Sequence, residues 1–292
     1  MDAKDLKVFE AVARTGGMNS AAAELNTVQS NVTARIRTLE ADLRVILFDR
    51  RSRGVVLTKA GERLLPYATK IRALLDEARR AATDEGKPQG LLTIGSLETT
   101  AAQRLSPIIT AFATAYPQVN LVLRTGTNAL LIEQIVNHEV DGAFVCGPIR
   151  HAELLGTPAF QEELVIAAAH GTKIWKTDRD LKILVKGPGC AYRGRLEDIL
   201  ARRGVTPAGC MEFGTVEAIL GCVEAGLGIT LLPRGLVSDA ERDGRLSLHA
   251  LPSSDADVEI LFVRRKDTLL FSALQAFIRF ATKDAHWVEA AE

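Results

Sequence analysis

Cysteine, histidine and aromatic residues are scarce in this sequence: four, five and 5% of 292 positions. Cys146, Cys190, Cys210 and Cys222 stand far apart, with no Cys-x-x-Cys pair and no close histidine. Neither a metal site nor a disulfide framework is expected, and a reducing cytoplasm fits. No apolar run reaches the roughly 18 to 20 residues that a membrane span needs. The opening MDAKDLKVFEAVARTGG is amphipathic from its first turn and lacks an apolar h-region, so no signal peptide and no membrane partner are expected. Paired general acid and base, activated nucleophile and phosphate-loop fingerprint are also absent; Gly226 and Gly228 mark only a helix-to-strand turn. An enzyme is therefore the weaker reading.

Net charge is lacking too, but the zero hides an uneven distribution. Residues 1 to 90 hold 16 Lys and Arg against 12 Asp and Glu, and the remainder carries the compensating negative excess. Arg35, Arg37, Arg44, Arg50, Arg51 and Arg53 crowd into 19 positions. Such asymmetry hints at a polyanion-binding end.

What is present in that end is a run of short amphipathic helices. Leu6, Phe9, Val12 and Ala13 form the inner face of a first helix closed by Gly16-Gly17. Asn19 or Ser20 is placed to cap a second, NSAAAELN, and Thr27 a third. In the third, Val28, Val32, Ile36, Leu39 and Leu43 step by three or four, one stripe of an α-helix. Its opposite side carries Ser30, Thr33, Ala34 and Arg37, flanked by Gln29 and Asn31. Two helices joined by a tight turn, the second with an outward polar face, make a helix-turn-helix. The following ILFDRRSRGVVLT predicts two strands around a basic turn, a wing.

This pattern points to double-stranded DNA. Gln29, Ser30 and Asn31 occupy the first turn of the third helix, the part that meets base edges in a major groove. Gln and Asn pair with adenine through a donor and an acceptor together. Arg37, Arg51 and Arg53, supported by Thr33 and Arg35, are the expected phosphate contacts, whose contribution falls steeply with salt.

Thr58 begins a long helix that Gly86 and Pro88 end. Leu64, Ala68, Ile71, Leu75, Ala78 and Ala82 step alternately by four and three, an a/d seam that serves either a coiled-coil dimer or packing on its own domain. A symmetric partner one DNA turn away favours the dimer. Pro66 is placed to kink its first turns.

LKVFEAVARTGGMNSAAAELN, VQSNVTARIRTLEADL, LFDRRSRGVVLTKAGE and the helix after them, in this order and spacing, closely resemble the N-terminal part of LysR-type transcriptional regulators. The resemblance implies activation or repression of nearby genes, with RNA polymerase a possible partner. Members usually close the recognition helix with Gly then Val-Pro, where this chain has Arg44, Val45 and Ile46. A non-glycine residue in a left-handed cap costs about 1 kcal/mol, so strain is expected there.

Beyond residue 90, short apolar strands alternate with helices, which predicts parallel sheets with helices on both faces. The layout resembles the effector domain of the same family, two α/β lobes similar to periplasmic binding proteins. The expected division is a winged helix-turn-helix over 1–58, a linker and dimerisation helix over 59–88, and an effector domain over 89–292. Within the last, one lobe takes 90–161 plus 266–292 and the other 162–265. The fold class is thus α/β overall.

In such sheets ligands sit beyond the carboxyl ends of strands, against helix N-termini. Ser96, Thr99 and Thr100, then Thr127 and Asn128, then Thr215 place hydroxyls and an amide there. Tyr192 could add a stacking face, Arg193 a cation, and Phe144 an apolar wall. This set suits a small carboxylate-bearing effector and no other cofactor. For each hydroxyl a helix cap is the competing role, and for Arg193 a salt bridge. Cys190, just before a helix and near Arg193, raises a thiol-based redox sensor as the alternative, with Cys210 or Cys222 to resolve it. The function expected is a cytoplasmic, dimeric or tetrameric DNA-binding regulator switched by an effector between two lobes.

Overall fold

The computed structural model describes residues 1–51, 54–174 and 181–282, and of Arg50 and Arg51 the backbone alone. These residues form two compact units, one of Met1–Asp84 with Asn137–Glu139 and one of the rest. Among the described residues no helix is long and apolar enough to cross a membrane.

In the first unit, α1 (Ala3–Thr15) opens on a capping box. The Asp2 carboxylate accepts the Asp5 N–H at 2.8 Å, and the Asp5 carboxylate accepts the Asp2 N–H at 3.3 Å. Gly16, with φ 69°, closes it in the left-handed region that glycine enters without a Cβ penalty. α2 (Met18–Glu24) starts directly after Gly17 with no side-chain cap, so Asn19 and Ser20 lie inside it rather than before it. α3 (Gln29–Leu43) starts after Val28. Thr27 is one residue too early to cap it, and its hydroxyl accepts instead from the Asn31 side-chain amide at 3.0 Å. Val32, Ile36 and Leu39 are buried with Leu6, Phe9 and Val12. Val28, expected in the same stripe, is 65% exposed, because the capping residue has extended rather than helical dihedrals.

α3 ends as expected for strain. Arg44 takes φ 55°, ψ 34°, and the N–H groups of Arg44 and Val45 bond to the carbonyls of Ala41 (3.3 Å) and Glu40 (3.1 Å), a Schellman ending with arginine in the glycine place. The Glu40 carboxylate then accepts the N–H groups of Leu47 (2.7 Å) and Phe48 (3.3 Å), fixing the start of β1 (Phe48–Arg51) against the helix. β1 pairs antiparallel with β2 (Gly54–Leu57), the two strands of the wing.

Thr58 caps α4 (Lys59–Thr83), accepting from Gly61 N–H at 3.2 Å and donating to the Ile46 carbonyl at 2.7 Å. The helix is continuous through Pro66. Its expected seam divides: Ala68 is buried, and Leu64 and Ile71 pack against the core of this unit, whereas Leu75, Ala78 and Ala82 are exposed. Tyr67 and Leu74, outside that seam, are 67% and 49% exposed. The open stripe therefore runs Tyr67, Leu74, Leu75, Ala78, Ala81, rotated from the one the heptad count selects, because α1 covers the other side.

The second unit begins with β3 (Gly90–Ser96), the short turn α5 (Glu98–Thr100), a π-turn over Ala101–Leu105 and α6 (Ser106–Ala115). β4 (Val119–Thr125), α7 (Asn128–Val136), β5 (Gly142–Cys146) and the long β6 (Leu154–Ala169) follow. Then come β7 (Lys182–Lys186), α8 (Ala191–Arg202), β8 (Gly209–Phe213), α9 (Val216–Glu224) and β9 (Thr230–Pro233). α10 (Arg234–Arg242), β10 (Leu246–His249), α11 (Ser253–Ala256), β11 (Asp257–Arg265) and α12 (Ser272–Ala281) complete it.

β3, β4 and β5 are parallel, as the alternation predicts. The rest of that sheet is antiparallel: β11 lies between β5 and β6, and β6 goes on to pair β9 and β10. The expected lobe boundaries shift accordingly. β11 belongs to the first lobe's sheet, and β6 serves both lobes, pairing β11 up to Glu163 and β9 from Leu164. Beyond that point its side chains alternate. Val165 and Ala167 join the core under α9 and α10, and Leu164, Ile166 and Ala168 join the core that includes Leu196 and Ile199 of α8. Both faces are thus covered. α12 returns to the first lobe, where Phe277 meets Phe112 edge-on at 5.3 Å.

Candidate nucleic-acid interface and effector site

The outer face of α3 is built by its own periodicity. With Val32, Ile36 and Leu39 turned inward, Gln29, Ser30, Asn31, Ala34, Arg37 and Thr38 are left exposed. Gln29, Ser30 and Asn31 form the open first turn, with one amide hydrogen of Asn31 engaged by Thr27. Arg37, one and a half turns further along, is exposed and forms no ion pair among the described residues. Thr33 is half-buried, its hydroxyl without a partner among the described residues. Arg35 is placed otherwise than expected: its guanidinium donates to Asp5 Oδ1 at 2.9 Å, turned against α1. Arg51 ends β1 through its backbone, and its side chain, like all of Arg53, lies outside the described residues.

In the second unit the expected effector residues separate into three groups. The first is interior. Phe144 is fully buried among Phe160, Phe262 and Phe277, so it is core and not a pocket wall. Ser96 is fully buried, its hydroxyl donating to Leu97 O at 2.9 Å, and Thr100 is fully buried with no partner for Oγ1 among the described residues. The second group is engaged in holding the fold. The Asn128 amide clamps Cys146, donating to its carbonyl at 2.7 Å and accepting its N–H at 3.0 Å. Thr127 accepts from Leu130 N–H at 3.4 Å, and Thr215 caps α9 by accepting from Ala218 N–H at 3.3 Å. Arg193 is held by Glu197 (3.0 Å) and Glu212 (3.1 Å).

The third group lines a small pocket: Thr99 and Tyr192, joined by Lys186, Cys190, Val216 and Thr230. Tyr192 is buried and donates to Glu162 Oε2 at 3.1 Å. Burial pushes the Tyr192 phenol well above its ordinary range, and burial likewise raises Glu162 against the opposing effects of Tyr192 and Arg104.

Glu98 is the residue that sequence reasoning passed over. From the first lobe its carboxylate pairs with Lys186 and accepts the Val216 N–H at 3.0 Å, at the first residue of α9. The signal was present as an acid between Ser96 and Thr99, but its partners stand 88 and 118 residues away.

All four cysteines are free. Cys190 precedes α8 and lines the pocket, Cys210 is exposed, and Cys222 is half-buried. Burial pushes the Cys146 thiol up to about 11, away from the thiolate that redox sensing needs. Among the described residues no group of three or more His, Cys, Asp or Glu could hold a metal ion.

Residues 3–62 match the family described as bacterial regulatory helix-turn-helix protein, lysR family, and residues 85–285 match the LysR substrate binding domain. The HTH-type transcriptional regulator GltR of Bacillus subtilis (strain 168) is 42% identical over 281 residues, 95% of each chain. YofA from the same strain is 43% identical over 279 residues, 95% of this chain and 97% of that one. Among solved structures, full-length CbnR complexed with its target DNA aligns with a TM-score of 0.69 at 24% identity, over 98% of this chain and all of that one.

Proposed function

The chain belongs to the LysR family of transcriptional regulators, and from that premise we propose how it reads DNA and what switches it. α3 enters the major groove of an operator with Gln29, Ser30 and Asn31 against base edges. Arg37, with Arg51 and Arg53 of the wing, neutralises phosphates, and Thr33 adds a hydroxyl that hydrogen-bonds to them. Arg35 supports the helix from within. Two heads act together in a homodimer or homotetramer, joined through α4 and the effector domains, so that half-sites one helical turn apart are read at once. The regulator works in the cytoplasm, where it activates or represses transcription, with RNA polymerase as a partner.

A small carboxylate-bearing effector binds between the lobes beside Thr99, Lys186 and Tyr192, and needs no further cofactor. Binding changes lobe closure and, through it, the way the paired heads sit on and bend the operator. The observation that carries this reading is the exposed first turn of α3, polar and free of acidic side chains. It is tested by selecting bound sequences from random duplex DNA with the full-length protein and footprinting the product with and without small organic acids. A pair of half-sites about one turn apart, whose footprint a ligand alters, is expected. A chain indifferent to duplex at low ionic strength would refute it.

A further inference from the structure

The place where an effector carboxylate is expected, a helix N-terminus beside a cation, already holds a carboxylate of the protein itself. Glu98 reaches from the first lobe to two points on the second, the Lys186 ammonium group and the backbone N–H of Val216. α9 is nine residues long, so its first N–H groups present a positive end to that carboxylate. The Thr99 hydroxyl, next to Glu98 in sequence and on a residue more than nine-tenths buried in the pocket wall, makes no hydrogen bond of normal length among the described residues and stands near the Tyr192 phenol. A polar atom buried without a partner at a pocket wall is what a ligand group would satisfy.

An incoming carboxylate that takes the Lys186 and α9 positions sets Glu98 free beside it. Two like charges then share one cleft. Among the described residues, the other cation lining the pocket is Arg193, which Glu197 and Glu212 already hold. Among the described residues no second unpaired cation lines the pocket, so a ligand that carries its own positive charge compensates Glu98 best.

We propose that Glu98 is a built-in anion latching the two lobes, and that the effector is a small amino acid whose carboxylate replaces Glu98 on Lys186 and α9 while its ammonium group pairs with Glu98. The Thr99 hydroxyl accepts a second hydrogen from that ammonium group. This rests on the effector reading above and narrows it to zwitterions.

The test uses full-length protein and two matched panels, the common L-amino acids and their 2-oxo acid counterparts, which keep the carboxylate and lose the ammonium group. Binding is read by calorimetry, and folding by far-ultraviolet circular dichroism. At least one amino acid is expected to bind wild-type protein ten-fold or more tighter than its 2-oxo acid. Glu98→Gln should erase that preference by weakening the amino acid and strengthening the 2-oxo acid, and Glu98→Asp, which keeps the charge, should restore part of it. A 2-oxo acid that binds wild type as well as its amino acid overturns the zwitterion inference and leaves the effector reading standing. So does a preference that survives in folded Glu98→Gln. If neither panel binds, the inference is wrong, and the operator footprint then decides separately whether any ligand switches the protein.

Discussion

Arg35 Nη1 donates to Asp5 Oδ1 at 2.9 Å, tying the recognition helix to the first turn of α1. Asp5 is largely buried and already serves the capping box, so the pair sits where two helices cross. Arg37, two residues on, is exposed on the opposite side. The two arginines should therefore fail in different ways. Arg35→Ala is expected to lower stability by about 1 kcal/mol, reduced from a fully buried pair because the guanidinium is a third exposed. It should leave the salt dependence of DNA binding unchanged. Arg37→Ala should leave stability unchanged and flatten the slope of log affinity against log salt by about one. Urea unfolding and binding titrations at several salt concentrations check both. Identical salt slopes for wild type and Arg37→Ala would remove Arg37 from the phosphate contacts.

Arg44 holds a left-handed conformation that costs a residue with a Cβ about 1 kcal/mol. The Schellman bonds around it belong to the backbone, so Arg44→Gly keeps them. Stabilisation by about 1 kcal/mol in chemical denaturation is expected. A loss instead would show that the arginine side chain contributes more than its backbone conformation costs.

What the sequence made legible follows from how local each signal is. The helices of the head, the wing and the start of the linker helix rest on three-to-four-residue periodicity, caps and glycines, and the structure reproduces them with boundary shifts of a residue or two. The misplaced residues share a different property. Local spacing offers Arg35 to phosphate because its partner Asp5 lies 30 residues earlier, and offers Asn128 to an effector because the strand it clamps lies 18 residues later. Phe144 fits a core strand equally well on a pocket edge or inside an aromatic cluster until the sheet order is known. That order was only half readable, since parallel strands alternate with helices while β6 and β11 reach their places by long antiparallel pairing.

The linker helix leaves Tyr67, Leu74, Leu75, Ala78 and Ala81 open on one stripe. If that stripe joins two copies, a charge in its middle must be buried without compensation. Leu74→Glu should shift sedimentation at micromolar concentration from dimer toward monomer and weaken operator binding, while Leu64→Glu should chiefly unfold the head that Leu64 packs against. A Leu74→Glu chain that stays fully dimeric would assign dimerisation to other surfaces.

Burial raises Glu162 above the ordinary carboxylate value of 4.5. The folded state consequently holds the proton to higher pH than the unfolded state does. Stability from this group is fully present below 4.5 and is lost as pH rises through the folded value. Glu162→Gln keeps the shape and an acceptor for Tyr192 but cannot ionise. Unfolding free energies measured from pH 4 to 8 should decline more steeply for wild type than for Glu162→Gln. Parallel curves would mean that Glu162 ionises freely where it sits.

Thr99 and Thr100 are neighbours in sequence with opposite prospects. Both hydroxyls are buried without a partner at normal hydrogen-bond distance among the described residues, but Thr99 lines the pocket whereas Thr100 is fully enclosed. Valine has the shape of threonine without the hydroxyl, so it removes an unsatisfied polar group and little packing. Thr100→Val should raise stability by about 1 kcal/mol, within the usual range for relieving such a group, and should leave the ligand-induced shift in melting temperature intact. Thr99→Val should gain similarly in the free protein but lose ligand stabilisation, because the proposed ligand donates a hydrogen bond to its hydroxyl. Melting curves of the three proteins, with and without the small molecule that stabilises wild type most, separate the two roles. Equal loss of ligand stabilisation in both variants would place Thr100 at the site and contradict its enclosure. Equal retention would leave the pocket wall at Thr99 without the ligand contact argued for it.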